Sequence, residues 1–381
     1  MLNIYILTSY GEEEIMKRRF LSIQLAMIFV GSIVGAGLSS GRELSQFFST
    51  YGYKGFVGLL ICAFLYILVG KMIVDITMKY GVKSYNEFIN LVCPKGVGSF
   101  TNIILTLFLL SSTIIILAGS SAVIQQYFGV PKWIGFLIMI ILSAGILLRN
   151  TEGLFEVNMI IVPLLIIIMS AIFISFIIRR PETIELEYIK ALPYVKKRWA
   201  VSSFVYSGFN IISIVGILVP LTYELRNSKA LNEGIVIGTG ILTLISFFIV
   251  FLMLVNHTYP NLYEIPILAV AMEGGKILRI GLLIVIWLEM FSSQISNVYS
   301  LTRGLESKMN ISYKKGVFII LGVAAPFSFI PFSKLVDVLY PFYGVLSMAF
   351  VMCCMIFYMK ERVSINSFKK CKQKTVSRHK I

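Results

Sequence analysis

The chain has 381 residues, of which 57% are apolar and only 14% charged, and its mean hydropathy is +0.85. A soluble protein carries roughly a quarter of its residues as charges, so this composition excludes a soluble fold with a separate catalytic domain. At about 20 residues per spanning helix the apolar runs provide about ten spans, and runs of that length also exclude a β-barrel, whose strands alternate over short segments.

The net charge of +15 is not a nucleic-acid footprint. Its densest block, Lys369 to Lys380, follows the last apolar run, as in a tail facing anionic lipid. The five cysteines, Cys62, Cys93, Cys353, Cys354 and Cys371, lie in or beside apolar runs without metal-ligand spacing, and are read as packing residues. No nucleophile–base pair, H-E-x-x-H or phosphate-binding glycine loop stands at usable spacing, so no enzyme is expected.

In chain order, residues 1–19 form an N-terminal tail. Within it Met16-Lys17-Arg18-Arg19 directly precedes the first apolar run, a common lead-in to a first span, and Met16 is an alternative translation start. Apolar runs then fall near 20–48, 56–76, 101–124, 133–148, 159–178, 201–221, 235–255, 280–301, 316–332 and 338–359. An offset of 175 residues lays Phe29-Val30-x-Ser32 on Phe204-Val205-x-Ser207 and spans two to five over spans seven to ten. Five spans per half is odd, so the second copy must enter the membrane inverted, an architecture of secondary transporters. The expected organisation is a first five-helix repeat over 20–178, an external loop over 179–200, a second, inverted repeat over 201–359, and a basic tail over 360–381. Lys and Arg number 22 on the face carrying both termini and 11 on the other, so a multi-pass protein with both termini in the cytoplasm is expected.

Span one cannot be one continuous helix. Gly31-Ser32-Ile33-Val34-Gly35-Ala36-Gly37 is followed by Ser39-Ser40-Gly41-Arg42-Glu43, placing four glycines and two adjacent charges at about mid-depth. Such breaks are tolerated where unwound backbone lines a cavity. Ser40 and Glu43 have capping-box spacing, so a second half-helix is expected from Ser40. The amides of Gly35, Ala36 and Gly37 then form a place for a carboxylate, with Ser39 and Ser40 beside it. Close helix packing through Gly31 and Gly35 is the simpler alternative, and Glu43 is otherwise only a cap partner. Span six has a matching weakness at Tyr206-Ser207-Gly208-Phe209-Asn210, so both broken helices, one and six, are expected to face the substrate at mid-membrane. Span eight carries Glu289, Ser293, Ser296 and Ser300 on one face, bordered by Ser292 and Asn297. Its intramembrane Glu289 is a proton carrier, a partner for a cation, or paired with Arg42 or Arg279.

At Val30 to Glu43, then Gln46-Phe47-Phe48 and Tyr51-Gly52, the chain resembles the YkvI family of bacterial membrane proteins. Through Gly31 to Gly37 it is also similar to the wider amino acid–polyamine–organocation superfamily with the LeuT-type inverted repeat. The resemblance implies an all-α polytopic fold of about ten helices, with a bundle of spans one, two, six and seven moving against a scaffold of three, four, eight and nine. It also implies a small-molecule substrate between spans one and six, and a sodium ion held by span-one carbonyls and span-eight hydroxyls. Carried onto this sequence these are Ser32, Gly35 and Ala36 facing Ser292, Ser293 and Ser296. No other cofactor is implied. Span five lacks the lysine of some proton-coupled relatives, which leaves sodium, or Glu43 or Glu289 as proton carrier. The chain departs from the family pattern at Leu38, Ser39 and Arg42.

The function expected is secondary active transport of an amino acid or related small solute, coupled to sodium or proton, in the lipid bilayer. The alternative is a ligand-sensing receptor subunit of the germinant-receptor type without net transport. Protein from the native host is expected to have an intact mass beginning at Met16, and a mass that includes Met1 to Ile15 would exclude that start.

Overall fold

The computed structural model describes residues 2–192, 197–263, 265–329, 339 and 342–361. The chain forms α1 (Leu2–Ile33), α2 (Ala36–Ser39), α3 (Arg42–Phe47), α4 (Lys54–Tyr80), α5 (Tyr85–Val92), α6 (Lys95–Phe128), α7 (Lys132–Leu147) and α8 (Asn150–Arg179). It continues with α9 (Leu186–Ala191), α10 (Trp199–Leu225), α11 (Ser228–Val255), α12 (Tyr259–Leu262), α13 (Pro266–Glu273), α14 (Lys276–Met309), α15 (Tyr313–Ala324) and α16 (Phe342–Glu361). The described residues contain no strand.

Among them, seven helices are long and apolar enough to cross a membrane: α4, α6, α8, α10, α11, α14 and α16. The other three expected spans correspond to the interrupted α1, to the shorter apolar α7, and to α15, beyond which residues 330–338 lie outside the described set. The basic tail after residue 361, with Cys371, also lies outside it.

Local chemistry sets the helix ends. Gly81 closes α4 in a left-handed conformation at φ 65°. Ser84 starts α5 by accepting from the Glu87 amide, while the Glu87 carboxylate accepts from the Lys83 amide at 2.8 Å, a reciprocal pairing close to a capping box. Asn227 caps α11 by accepting from the Ala230 amide at 3.1 Å.

The helices pack in two sets. α1 lies against α11, and α4 against α10 and α11, forming one set; α6, α7, α8, α14 and α15 form the other. The two meet where α1 crosses α8 and α14, where α10 crosses α14, and where α11 lies against α8, with Phe173 stacked on Phe248 at 4.4 Å between centroids. Each half of the chain thus gives its first two spans to the bundle and later ones to the scaffold, which is the partition of an inverted five-plus-five repeat of the LeuT type.

Within the bundle, α1 and α11 approach backbone to backbone. A β-carbon at Gly234 would lie 3.0 Å from the Ser22 carbonyl oxygen, and one at Gly238 would lie 2.9 Å from that of Ala26. These two glycines, four residues apart, are a small-xxx-small contact that substitutes van der Waals packing for the hydrophobic drive that lipid does not provide.

Two sequence expectations are corrected. First, α10 is continuous through Tyr206-Ser207-Gly208-Phe209-Asn210, so span six is not broken. Its serine and asparagine bond back to the helix itself: Ser207 Oγ donates to the Ser203 carbonyl at 2.8 Å, and Asn210 Nδ2 donates to the Tyr206 carbonyl at 3.2 Å. Gly208 serves close packing against α16, where its β-carbon would stand 3.4 Å from the Met348 nitrogen. Second, Ser40 and Glu43 do not form a capping box. The residue before α3 is Gly41 at φ 79°, without a side-chain cap, and Ser40 Oγ instead donates to the Gly37 carbonyl at 2.9 Å and accepts from the Arg42 amide at 3.3 Å.

Replacing Gly238 by leucine is expected to destabilise the protein by about 1–3 kcal/mol through overpacking. Gly240→Leu, where a β-carbon meets nothing within 4 Å, should stay within about 0.5 kcal/mol of the parent. Thermal melts in detergent compare the two, and equal melting temperatures would contradict the helix contact.

Candidate functional site

The break in span one is where the chain exposes backbone at depth. α1 ends at Ile33 and α2 starts at Ala36; the Gly35 amide, between them, makes no backbone hydrogen bond among the described residues, and the first amides of α2 have no partner within so short a helix. On the other side of the break, the last carbonyls of α1 need partners in a medium without water. α14 supplies them. Ser293 Oγ donates to the Val34 carbonyl at 2.5 Å and lies 3.4 Å from that of Gly31, and Ser292 Oγ lies 3.4 Å from the same Gly31 oxygen. A third helix joins here, because Ser292 Oγ donates to Asn158 Oδ1 of α8 at 2.5 Å, and Asn158 is fully buried.

The result is a compact cluster of oxygen donors: two carbonyls from α1, two hydroxyls from α14 and an amide oxygen from α8. It is uncharged and built entirely of hard ligands, a donor set that suits an alkali cation stripped of its hydration shell. Among the described residues no group of three His, Cys, Asp or Glu could hold a metal ion.

Next to this cluster lies a cavity of about 30 Å³ lined by Ser32, Ile33, Gly35, Glu43, Phe108, Ser112, Ile116, Phe209, Asn210, Ser213, Ser293 and Asn297. Its position between α1, α6, α10 and α14 joins bundle to scaffold. Among the described residues the polar lining contains one carboxylate and no cation. Glu43 is buried, and its Oε1 has no hydrogen-bond partner among the described residues. Asn210 is oriented by Tyr66 of α4, whose hydroxyl accepts from Asn210 Nδ2 at 3.0 Å, and Asn297 Nδ2 donates to Ser112 Oγ at 2.8 Å.

Aromatic rings close over these groups. Phe108 meets Phe209 edge to face at 5.1 Å between centroids and Tyr343 at 5.2 Å, while Tyr206 sits against Phe47 and Phe48 at 5.2 and 4.9 Å. Above the break, the Ile267 amide at the start of α13 donates to the Ser40 carbonyl at 3.1 Å. At the opposite end, Arg303 of α14 pairs with Glu224 of α10 and, at 2.8 Å, with Glu306. Its guanidinium lies 5.3 and 4.9 Å from the Tyr299 and Tyr313 rings. The cavity's 30 Å³ is far below the roughly 300–1,000 Å³ of ligand pockets.

Of the residues singled out in the sequence, Ser32, Gly35, Glu43, Asn210 and Ser293 converge on this cavity. Ser292 is at the oxygen cluster. Ala36 and Gly37 belong to α2, next to Gly35 in the chain, and are not among the described lining residues, while Ser39 and Ser40 turn back to donate to the Gly35 and Gly37 carbonyls at 2.8 and 2.9 Å. Tyr206, Ser207 and Gly208 do not line the cavity. Ser32 donates to the Phe29 carbonyl at 2.8 Å, so the carbonyls that meet α14 are those of Gly31 and Val34 instead of Ser32, Gly35 and Ala36. Ser296 Oγ and both oxygens of Glu289 are buried without a hydrogen-bond partner among the described residues, so Glu289 pairs with neither Arg42 nor Arg279.

Asn158, Tyr66, Phe108 and Ser112 had no place in the sequence reading. Asn158 stands one position before the apolar run at 159–178 and was readable as its boundary; an amide inside what proves to be the long helix α8 is the signal that could have found it.

Comparison with known proteins bears on this geometry. No protein-family model matches the chain. The uncharacterized membrane protein YkvI of Bacillus subtilis (strain 168) is 31% identical over 331 residues, covering 86% of this chain and 93% of that protein. The chain belongs to the YkvI family. A second B. subtilis protein, the uncharacterized protein YyaD, is 23% identical to this YkvI-family chain over 337 residues, 87% of this chain and 95% of the other.

Among solved structures, a Na+-coupled sialic acid symporter in a substrate-bound outward-open state superposes with a TM-score of 0.68 at 14% identity, covering 94% of this chain and 86% of that one. MhsT in complex with L-phenylalanine gives 0.63 at 15% identity over 86% and 87%. Mhp1, a nucleobase-cation-symport-1 family transporter, in a closed conformation with bromovinylhydantoin bound, gives 0.58 at 14% identity over 85% and 74%. These likenesses give the YkvI-family chain the fold of LeuT-type transporters.

Gly31 tests the crossing. A β-carbon there would stand 2.6 Å from Ser292 Oγ and against the Asn158 amide, whereas one at Gly35 would meet only Ser293 Oγ at 3.5 Å. Gly31→Ala should therefore cost about 1–3 kcal/mol and Gly35→Ala much less; melting temperatures of the two variants without added solute measure the difference, and the reverse order would contradict the crossing.

Proposed function

We propose that this YkvI-family protein is a secondary active transporter of an amino acid or a related small zwitterion, working by alternating access and coupled to sodium. The observation that carries the reading is the meeting of the unwound α1 backbone with α14: the Gly31 and Val34 carbonyls with the Ser292 and Ser293 hydroxyls. A cation there binds bundle to scaffold through five oxygens. The substrate cavity shares Ser293 with that cluster, and Gly35 in its lining directly follows Val34, so filling one favours the conformation that the other requires, which is what coupling means thermodynamically.

The lining supports a zwitterion. The Gly35 amide, which makes no backbone hydrogen bond among the described residues, and those of Ala36 and Gly37 at the start of α2 are donors for a carboxylate, and the Glu43 carboxylate, with no cation among the described lining residues, is a partner for an ammonium group. Asn210 and Asn297 hydrogen-bond the remainder, and Phe108 and Phe209 exclude water from the side chain. Because the cavity is contracted, loading requires the bundle to swing from the scaffold. Outward opening releases the Ile267–Ser40 contact and inward opening releases the Glu224–Arg303 pair. Glu43 and Glu289 are the carboxyl groups through which a proton would couple instead. The distribution of Lys and Arg supports an orientation with both termini in the cytoplasm, in the plasma membrane of a bacterial cell.

Proteoliposomes loaded for an inward sodium gradient are expected to accumulate at least one labelled amino acid of a full panel, and to lose accumulation when the gradient is collapsed. Ser293→Ala should abolish the sodium dependence, and Gly37→Leu should abolish uptake. Absence of gradient-driven uptake across the panel would contradict transport, and uptake driven by a proton gradient alone would replace sodium with proton.

A further inference from the structure

A groove of about 590 Å³ lies away from the transport path, where α1, α4 and α11 meet at the end of the bundle from which α1 enters the membrane. Three basic residues line it: Arg18 and Arg19 of α1 and Lys71 of α4. Its one acid, Glu233 of α11, is already engaged: Oε1 lies 3.4 Å from Arg18 Nη2 and Oε2 accepts from Ser22 Oγ at 2.8 Å. Arg18 is thus held in place, with its Nε buried and lacking an acceptor among the described residues. Arg19 and Lys71 have no ion-pair partner among the described residues. The next acid along α4, Asp75, accepts from the Tyr358 hydroxyl at 2.7 Å.

The position of Lys71 is the unusual feature. On α4 it follows Val57, Leu60 and Phe64, exposed by 45%, 64% and 64%, on the stripe that a helix of this length turns toward lipid. It stands nine residues before the helix end at Tyr80, about 13 Å at 1.5 Å per residue. A lysine on a lipid-facing stripe is tolerated only where its ammonium group reaches the headgroups. The facing wall continues the same surface. Ile23 of α1 and Val236 and Ile237 of α11 line the groove and are exposed by 40 to 42%. The groove therefore opens sideways to the bilayer, cationic at one edge and apolar below.

We propose that it is a binding site for an anionic phospholipid. The phosphate is held by Arg19 and Lys71 beside the fixed Arg18, and the acyl chains run along Ile23, Val236 and Ile237. A soluble phosphate would use the same cations but would leave the apolar wall unused. A second groove of about 460 Å³ on the other side of Arg18, with Lys17 and Lys229 in its lining, extends the positive surface toward the aqueous side. The bound lipid bridges α1, α4 and α11, three helices of the bundle, without contacting the scaffold.

Purified full-length protein in neutral detergent, titrated with phosphatidylglycerol or phosphatidylcholine and followed by native mass spectrometry and melting temperature, tests this. Phosphatidylglycerol should be retained and should raise the melting temperature, and phosphatidylcholine should do neither. The double variant Arg19→Gln/Lys71→Gln should bind phosphatidylglycerol about 30-fold more weakly, the effect of two cations at about 1 kcal/mol each, with an unchanged melting temperature before lipid is added. Lys71→Arg should retain the binding. Equal retention of the two lipids, or a double variant that binds as the parent does, would overturn the proposal. Equal stabilisation by glycerol 3-phosphate would also overturn it, in favour of a soluble phosphate.

Discussion

A backbone hydrogen bond left unmade inside a lipid bilayer has no water to replace it, and this chain deliberately leaves several unmade at Val34–Gly35. The interruption is stable because α14 brings hydroxyls to the carbonyls that α1 abandons, with Ser293 on Val34 and Ser292 between Gly31 and Asn158. Everything else about the architecture follows from keeping that crossing close. Gly31 admits α14 because it has no side chain, Gly234 and Gly238 hold α1 against α11 from behind, and α8 completes the corner with a buried amide.

The same crossing is the joint between the two packed sets of helices. Within each set the contacts are extensive, whereas between them the polar contacts among the described residues are localised at the serine–carbonyl cluster, the Ile267–Ser40 hydrogen bond and the Glu224–Arg303 pair. A joint of this kind has discrete alternatives, because each polar contact is either made or replaced by water, and packed helices do not deform continuously. In the proposed cycle an ion among the cluster's oxygens changes the free energy of the joint directly, and a solute in the adjacent cavity changes it through Ser293, which serves both, and through Gly35, next to Val34 in the chain.

Much of this was legible in the sequence for a physical reason. Twenty-residue apolar runs report helices that lipid must surround, and glycines with adjacent charges at mid-depth report a helix that cannot continue. The stripe Glu289, Ser293, Ser296 reported a face of span eight turned inward, and the chain does bury it. The expectation failed at Tyr206–Asn210, because serine and asparagine can return their hydrogen bonds to their own helix, so polar residues beside one glycine do not distinguish a broken helix from an intact one. It also missed Asn158 and the carbonyls of Gly31 and Val34. A carbonyl has no residue-type signature, and an amide next to an apolar run reads as the end of that run until the helix is seen to extend past it.

The proposed transport cycle requires bundle and scaffold to move as bodies about the α1–α14 crossing. Distances between spin labels at Lys229 of α11 and Lys315 of α15, one on each body and both exposed, measure this in a variant whose native cysteines have been replaced. Two distance populations are predicted in liposomes, with sodium in place of potassium shifting their ratio and Ser293→Ala removing the shift. A single distance, indifferent to sodium, to acidification and to every amino acid of the uptake panel, would contradict the account.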